Sequence, residues 1–219
     1  MTSSATRAPT KTAQPRRRAA RLASAPVILE AAATLFLRNG YLGTSVDDIA
    51  ALAHVSKQTV YTHFADKEQL FAALIRGNIS RVDTFIESVT AVLGETNALQ
   101  DDVRTFARRH VRAVLQPEAV HLRRLVIGEA GRFPDLAREY YERVPQRVIA
   151  ALAQQLRRLA ERGLLRIQEP SLAANHLAWL ILGPPLDAAM FGADGENYAP
   201  ADLDALADAA VDVFLAAYR

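Results

Sequence analysis

The stretch from Thr44 to Phe64 constrains the fold most strongly, because it predicts two short helices separated by a three-residue turn. Apolar residues recur at helical spacing in its first half, at Val46, Ile49, Ala50 and Ala53. In the second half, Val60 and Phe64 are four residues apart and are predicted to face inward. The pattern indicates a helical hairpin whose second helix leaves a polar face outward.

Side-chain caps are predicted at the start of both helices. Thr44 precedes Asp47 by three residues, the spacing of a capping box, so we expect Thr44 to cap the first helix. His54 and Val55 interrupt the helical pattern, and Ser56 follows where it can cap the second helix.

The outward face of the second helix carries side chains typical of DNA contact. With about 100° of rotation per residue, Gln58 and Thr62 point most directly away from the core, and Thr59 and Tyr61 flank them. Glutamine can pair with adenine, and hydroxyl groups can reach phosphate oxygens. The hairpin therefore predicts a DNA-reading helix-turn-helix. The plainer alternative is an ordinary helical hairpin with a polar outer face.

Flanking residues extend the pattern over a stretch of about 45 residues. A first helix is predicted from Pro26 to Asn39, with Gly40 as its left-handed stop, and a fourth from Asp66 to Val82. The positions that carry the wider pattern are Ile28, Leu29, Glu30, Ala31, Ala32, Leu35, Phe36, Gly40, Tyr41, Thr44, Ile49, Ala50, Ala53, Val55, Ser56, Thr59, Val60, Tyr61, His63, Phe64, Lys67, Glu68 and Leu70.

In spacing and residue type, these positions resemble the N-terminal domain of the TetR family of transcriptional regulators. The resemblance implies a homodimer that binds double-stranded DNA with a three-helix head and releases it when a small molecule binds the helical body. It also implies phosphate contacts from Tyr61, His63 and Lys67. His54 departs from the family pattern, because a small residue usually begins the turn. The predicted DNA-contacting residues are Thr44, Ser45, Ser56, Lys57, Gln58, Thr59, Tyr61, Thr62, His63 and Lys67.

Charge is distributed unevenly along the chain. The formal net charge is +2, but residues 1–25 carry six basic residues and no acid, whereas residues 26–75 carry more acids than basic residues. We therefore predict a disordered basic arm over residues 1–25 that follows the DNA backbone or enters the minor groove. A solvated tail without a role in binding is the alternative.

The remainder of the chain has helical periodicity and no strand alternation. We predict an all-α fold, in which a helix-turn-helix DNA-binding domain at 26–75 precedes a larger ligand-binding and dimerisation domain at 76–219. Pro145 either kinks one helix or starts another. The last two helices, near Ser171–Met190 and Pro200–Tyr218, would form the dimer contact if the family pattern holds.

A ligand cavity in the body is expected from the resemblance. Large apolar surfaces with few polar groups favour an apolar or aromatic effector. Each candidate lining residue can equally be an ordinary part of the core. These candidates are Phe106, His110, His121, Phe133, Tyr140, Tyr141, His176, Trp179 and Met190.

Other classes of protein are less well supported by the sequence. The five histidines show no metal spacing, cysteine is absent, and no nucleophile elbow or Gly-rich phosphate loop occurs, so we expect no enzyme, metal or cofactor. Without a secretory signal or membrane span, a cytoplasmic location is expected. An architectural DNA-binding protein remains an alternative, as does an all-helical enzyme. Sequence-indifferent binding would identify the first and turnover the second.

Overall fold

The computed structural model describes residues 13–80, 82–94, 98–192 and 198–219. Within these ranges the regular structure is helical, without strands, and the chain divides into two compact units, Met1–Leu74 and Ile75–Arg219. The predicted all-α fold is confirmed, with a small N-terminal helix-turn-helix unit before a larger helical one. The division falls one residue before the predicted boundary.

From residue 13 onward, where the structure describes the chain, the N-terminal unit contains three helices and the start of a fourth: α1 (Ala13–Asn39), α2 (Val46–Leu52), α3 (Lys57–His63) and α4 (Lys67–Ile79). The predicted start of α1 at Pro26 is wrong, because the helix begins at Ala13 and Pro26 lies inside it. Residues 13–25 of the predicted arm, which are rich in the helix formers Ala and Arg, are thus part of α1, and the contact of the arm with DNA stays a prediction. Residues 1–12 of the predicted arm lie outside the described residues.

An aromatic cluster forms the centre of this unit. The ring of Phe36 on α1 stacks on Tyr41 with a centroid distance of 5.8 Å, and Phe71 on α4 meets both rings edge-on at 5.3 and 5.1 Å. Ile49 from α2 and Val60 from α3 are also almost fully buried. Each helix thus contributes apolar side chains to one core.

The turn between α2 and α3 is closed by backbone hydrogen bonds of the Schellman type. The amide of Val55 donates to the carbonyl of Ala50 at 3.0 Å, and that of His54 donates to Ala51 at 3.2 Å. This geometry requires a left-handed residue after the helix, and His54 occupies it with a φ of 53°. The presence of His54 at this position, where the family pattern has a small residue, therefore has a conformational cost, because residues with a Cβ are strained at a positive φ.

We predict that His54→Gly stabilises the N-terminal unit by about 0.5–1 kcal/mol. Glycine adopts a positive φ without strain, although it loses more backbone entropy on folding, which offsets part of the gain. Urea denaturation and amide hydrogen exchange of α2 and α3 would measure the change. His54→Ala is the control, since it removes the exposed imidazole and keeps the strain. Equal stabilities for the Gly and Ala variants would contradict the explanation.

The described residues of the second unit form the end of α4 and seven further helices: α5 (Val82–Gly94), α6 (Leu99–Val114), α7 (Pro117–Gly128), α8 (Pro134–Arg143), α9 (Pro145–Glu161), α10 (Pro170–Phe191) and α11 (Pro200–Tyr218). The predicted extent of the fourth helix to Val82 is wrong, since α4 ends at Ile79 and Val82 begins α5. Pro145 starts α9, where its missing N–H costs no helical hydrogen bond.

The core of the second unit is built mainly from α6, α9, α10 and α11. Phe106 and Phe214 are its largest fully buried side chains, surrounded by leucine, valine and alanine. Alanine residues on α10 and α11, such as Ala174 and Ala207, are fully buried and permit close packing of the two helices.

A ladder of three ion pairs joins α6 to α11. Basic residues one turn apart on α6 meet acidic residues one turn apart on α11, so the helices run antiparallel. The nitrogen-to-oxygen distances are 2.7 Å for Arg104 to Asp212, 2.5 Å for Arg108 to Asp208 and 2.5 Å for Arg112 to Asp204. The central pair is bidentate, since the Arg108 Nε also donates to Asp208 at 2.8 Å. These hydrogen bonds lower the pKa of the Asp208 carboxyl below its usual 3.8.

We predict that Asp208→Asn destabilises the protein at neutral pH and that this difference disappears in acid. A carboxylate with a lowered pKa in the folded state stabilises the fold above its unfolded-state pKa, and this contribution is lost as the pH falls through the folded-state value. Urea unfolding of both proteins from neutral pH to below 3.8 would measure it.

Asp135→Asn provides the matched control for this prediction. Asp135 pairs with Arg138 on the surface of α8, where its side chain is 92% exposed, so its removal should change the free energy of unfolding very little. A pH-independent difference between Asp208→Asn and the native protein would contradict the proposed role of the Asp208 ion pair.

Candidate nucleic-acid interface and ligand cavity

Capping and burial determine the orientation of α3. Ser56 caps the helix as predicted, because its Oγ accepts a hydrogen bond from the Thr59 amide at 3.0 Å. Val60 is only 1% exposed, and the half-buried Phe64 ends the helix. These contacts fix one side of α3 against the core and leave the other side in solvent.

The outer face of α3, comprising Lys57, Gln58, Tyr61 and Thr62, is exposed. The Thr62 hydroxyl donates a hydrogen bond to the backbone carbonyl of Gln58 at 2.7 Å, so this bond does not involve the side-chain amide of Gln58. Lys57 Nζ lies 2.9 Å from Asp47 of α2, and the hydrogen bond to this carboxylate raises the pKa of Lys57. Both partners are more than half exposed, so the pair is weak enough to exchange for another anion.

The start of α4 presents a second cationic group. Asp66 caps this helix, because its carboxylate accepts a hydrogen bond from the Gln69 amide at 2.7 Å. Lys67 Nζ lies 4.2 Å from the centre of the Tyr41 ring, within cation–π distance. Its ammonium group is thereby held near a helix N-terminus, a position that favours phosphate.

Ser45, rather than Thr44, caps α2. Thr44 is 2% exposed, and its hydroxyl points to the carbonyls of Gly40 and Leu35 at 2.8 and 3.1 Å. The buried hydroxyl is therefore committed to the fold, and contact of Thr44 with DNA stays a prediction. The predicted cap by Thr44 with Asp47 is wrong, since Ser45 and Asp48 form the capping box of α2.

The remaining predicted DNA contacts differ in exposure. Ser45 and Ser56 are exposed, but their hydroxyls already serve as helix caps, whereas Thr59 and His63 are partly buried. Direct contact with DNA stays a prediction for all of these residues. The outer face of α3 combines the amide, hydroxyl and ammonium groups that this role requires.

A cavity of about 260 Å³ lies within the second unit. Its wall is mostly aliphatic and contains four side chains with polar atoms, at His110, Arg123, Tyr140 and Trp179. The apolar lining comes from Val82, Phe85, Ala113, Val114, Ala119, Val144, Pro145, Val148, Ile149, Ala178, Leu182 and Leu186. An apolar wall with a few polar groups is typical of a small-molecule site.

His110 is the most deeply buried of these four side chains. It is 3% exposed, and its ring stacks on Phe106 at a centroid distance of 5.6 Å and on Phe85 at 6.5 Å. Burial, together with the positive charge of Arg123, lowers the pKa of His110 to about 4, so the imidazole is neutral at physiological pH. Its Nδ1 atom has no hydrogen-bond partner among the described residues.

Only part of the predicted ligand set reaches this cavity. His110, Tyr140 and Trp179 line it. Phe106 does not line the cavity, because it is a core residue whose ring stacks on His110. The other predicted residues also lie outside the lining, namely His121, Phe133, Tyr141, His176 and Met190.

These residues have other surroundings. His176 Nδ1 lies 2.6 Å from the Tyr218 hydroxyl, Tyr141 accepts a hydrogen bond from Gln146, and Met190 lines a separate surface groove with Trp179. Sequence reasoning missed Arg123 and Phe85. Phe85 could have been found from the helical spacing of the apolar residues Val82, Phe85 and Ile86, which indicates an inward face of α5. Arg123 could not, because the sequence does not distinguish it from the adjacent Arg124.

Membrane-spanning helices and metal-binding clusters are both absent from the described part of the chain. No helix there has an apolar run long enough to cross a bilayer. Within the same ranges, no group of three or more histidine or acidic side chains is arranged to hold a metal ion.

The sequence matches two family models that together account for most of the chain. Residues 28–74 match the family described as bacterial regulatory proteins, tetR family, and residues 101–219 match the C-terminal domain of an AefR-like transcriptional repressor. The second match alone covers more than half of the chain. The protein therefore belongs to the TetR family of DNA-binding transcriptional regulators, which are generally ligand-responsive repressors.

Solved structures extend the similarity over nearly the full length. A TetR-family regulator structure from Mesorhizobium loti MAFF303099 is 39% identical, with a TM-score of 0.84 over 90% of this chain and 98% of the other. The flavonoid-responsive regulator FrrA is 31% identical, with a TM-score of 0.69 over 90% and 97%. The Tn10 TetC protein of Escherichia coli is 32% identical, over 33% of this chain and only 37% of its own length.

Proposed function

We propose that the protein is a dimeric repressor that binds an inverted repeat through α3 and is released by a small apolar or aromatic effector. The observation that carries this proposal is the exposed amide and hydroxyl face of α3 opposite the buried Val60. Two such helices, related by two-fold symmetry, would enter successive major grooves about 34–36 Å apart.

Within the DNA-binding domain of each copy, we assign one group of residues to base contacts and another to phosphate contacts. Gln58 and Thr62 would contact base edges, because they project farthest from the core. Lys57, Tyr61, His63 and Lys67 would contact phosphates and position the helix. Lys57 would exchange its exposed ion pair with Asp47 for a phosphate. The basic residues before Pro26 remain predicted contributors to backbone binding.

Exposed apolar side chains on α10 and α11 support dimerisation through these helices. Leu172 and Trp179 are seven residues apart on α10 and are 53% and 60% exposed, while Leu206 and Val213 have the same spacing on α11. Residues seven apart lie on the same side of a helix, so both helices have an apolar stripe. Burial of this α10–α11 face against a second copy would form a four-helix contact.

The cavity in the second unit is the proposed effector site. Its volume of about 260 Å³ is just below the range of about 300–1,000 Å³ usual for drug-sized ligands, which favours a small effector. FrrA responds to flavonoids, which supports an aromatic effector for this chain as well.

Trp179 connects the effector site with the proposed dimer face, since it lines the cavity and is also 60% exposed on α10. An effector that moves Trp179 would alter the α10–α11 contact and with it the separation of the two heads. It must bind the non-operator conformation more tightly, because equal affinity for both states would shift nothing. α4 begins in one unit and ends in the other, and we propose that it carries this change.

Selection of bound duplexes from a random DNA pool at moderate salt tests the proposal. We expect one inverted repeat, bound by two copies of the chain, and release by a compound from a small-molecule panel. Binding that is indifferent to sequence would contradict the proposal, as would a single copy on an asymmetric site.

We predict that Gln58→Ala and Lys67→Ala weaken DNA binding in different ways. Loss of Gln58 should reduce discrimination at one base pair of each half-site by about 1–3 kcal/mol, because a base-edge contact is removed. Loss of Lys67 should weaken all sequences similarly and reduce the salt slope by about one, because a phosphate contact is removed. Fluorescence anisotropy with selected and single-mismatch duplexes would measure both effects.

Arg138→Ala is the control for lost surface charge, since Arg138 lies on α8 and pairs with Asp135 on the surface. It should leave both discrimination and salt slope unchanged. Uniform weakening by Gln58→Ala, without a change in base preference, would show that the assigned orientation of α3 is wrong.

A further inference from the structure

The polar groups of the effector cavity lie among apolar side chains. His110 is enclosed between Phe85 and Phe106, and its Nδ1 atom lacks a hydrogen-bond partner among the described residues. A buried polar atom without a partner costs free energy, so its presence in a native structure requires a functional or structural explanation, and a bound ligand is one that the adjoining cavity supports. A half-turn about the Cβ–Cγ bond exchanges the two ring edges, so either nitrogen can face a ligand.

Arg123 provides a positive charge in the same wall. Its charge affects His110 directly, since it contributes to the lowered pKa of the imidazole. Arg104, Arg108 and Arg112 in the same unit have acidic partners. Among the described residues, no carboxylate lies within 4.0 Å of the Arg123 guanidinium. Asp187 lines an adjoining surface groove with Arg123 but does not form an ion pair with it.

Arg123 lines the cavity and is partly buried, so a neutral effector would bind beside its positive charge without supplying a counter-charge. Charged groups that lose water upon ligand binding need a partner of opposite charge. A carboxylate matches both polar groups, because it pairs with a guanidinium in a bidentate geometry and accepts a hydrogen bond from a neutral imidazole N–H. The remaining aliphatic and aromatic wall fits a single apolar body.

We propose that the effector is a small apolar monocarboxylic acid, whose carboxylate binds between Arg123 and His110 and whose hydrocarbon part fills the cavity toward Val148 and Leu182. This assignment rests on the proposed function, since it names the chemical class of ligand for the same cavity. Tyr140 and Trp179 flank the hydrocarbon part. No covalent step is involved.

Binding of matched probes to the full-length protein tests the proposal. The panel pairs linear and aromatic carboxylates, such as octanoate, benzoate and 4-phenylbutyrate, with the alcohols and amines of the same carbon skeletons. Isothermal titration calorimetry gives the dissociation constants. Fluorescence gives an independent readout, because Trp179 is the only tryptophan in the chain and lines the cavity.

We expect at least one carboxylate to bind about 10- to 100-fold more tightly than its alcohol, and the amine to bind more weakly still. Arg123→Gln should remove the preference for the carboxylate while leaving affinity for the alcohol unchanged, and Arg123→Lys should retain part of it. His110→Phe keeps a ring in the stack with Phe85 and Phe106, so it should weaken binding of the carboxylate and leave binding of the alcohol unchanged. Arg138→Gln, on the surface of α8, is the control and should change neither the affinity for the carboxylate nor that for the alcohol.

Equal affinity for acid and alcohol would overturn the proposal, as would equal weakening of both by Arg123→Gln. Absence of binding by the entire carboxylate panel would also overturn it. These failures differ from failure of the proposed function. A neutral compound that binds the cavity and releases the selected inverted repeat would leave the repressor assignment intact, whereas the lack of any sequence-specific duplex would remove the assignment itself.

Discussion

Burial of Val60 is the interaction on which the proposed DNA-binding surface depends. α3 has only seven residues, and an isolated helix of that length is not stable in water. Its structure therefore comes from its surroundings: the Ser56 cap, the Schellman turn at His54 and the apolar core that accepts Val60. With that side chain fixed, the helical rotation leaves Gln58 and Thr62 in solvent. The same contacts that stabilise the helix thus choose the face available to DNA.

The second unit is specified by a different balance of forces. Its core is aliphatic and aromatic, and the ion-pair ladder between α6 and α11 aligns two helices along their length. The cavity interrupts this packing and places a neutral, unpartnered imidazole beside a guanidinium. A core selected only for stability would avoid that arrangement, because buried unpaired polar atoms are destabilising. Its presence beside Trp179, which also belongs to the proposed dimer face, is consistent with a site that responds to a ligand.

Periodicity was sufficient to predict the helical hairpin, since Val46, Ile49 and Val60 are buried as their spacing indicates. Spacing alone was insufficient to predict the cap of α2, because Thr44 with Asp47 and Ser45 with Asp48 both have the spacing of a capping box. The burial of Thr44 in the tertiary structure decides between the two pairs. The start of α1 was misplaced because a proline that favours a helix start also fits inside this helix. In the cavity, Arg123 and Arg124 are neighbours in sequence. Arg123 lines the cavity while Arg124 donates to the Ala189 carbonyl, a difference set by the packing of α7 against other helices.

Methylation interference on the selected duplex, with the native protein, tests the central claim most directly. Methyl groups at guanine N7 lie in the major groove and those at adenine N3 in the minor groove. If α3 reads the major groove as one of a symmetric pair, interference at N7 will occur in two patches separated by about one helical turn on one face of the DNA. Interference confined to N3, or a single N7 patch without a symmetric counterpart, would contradict the account.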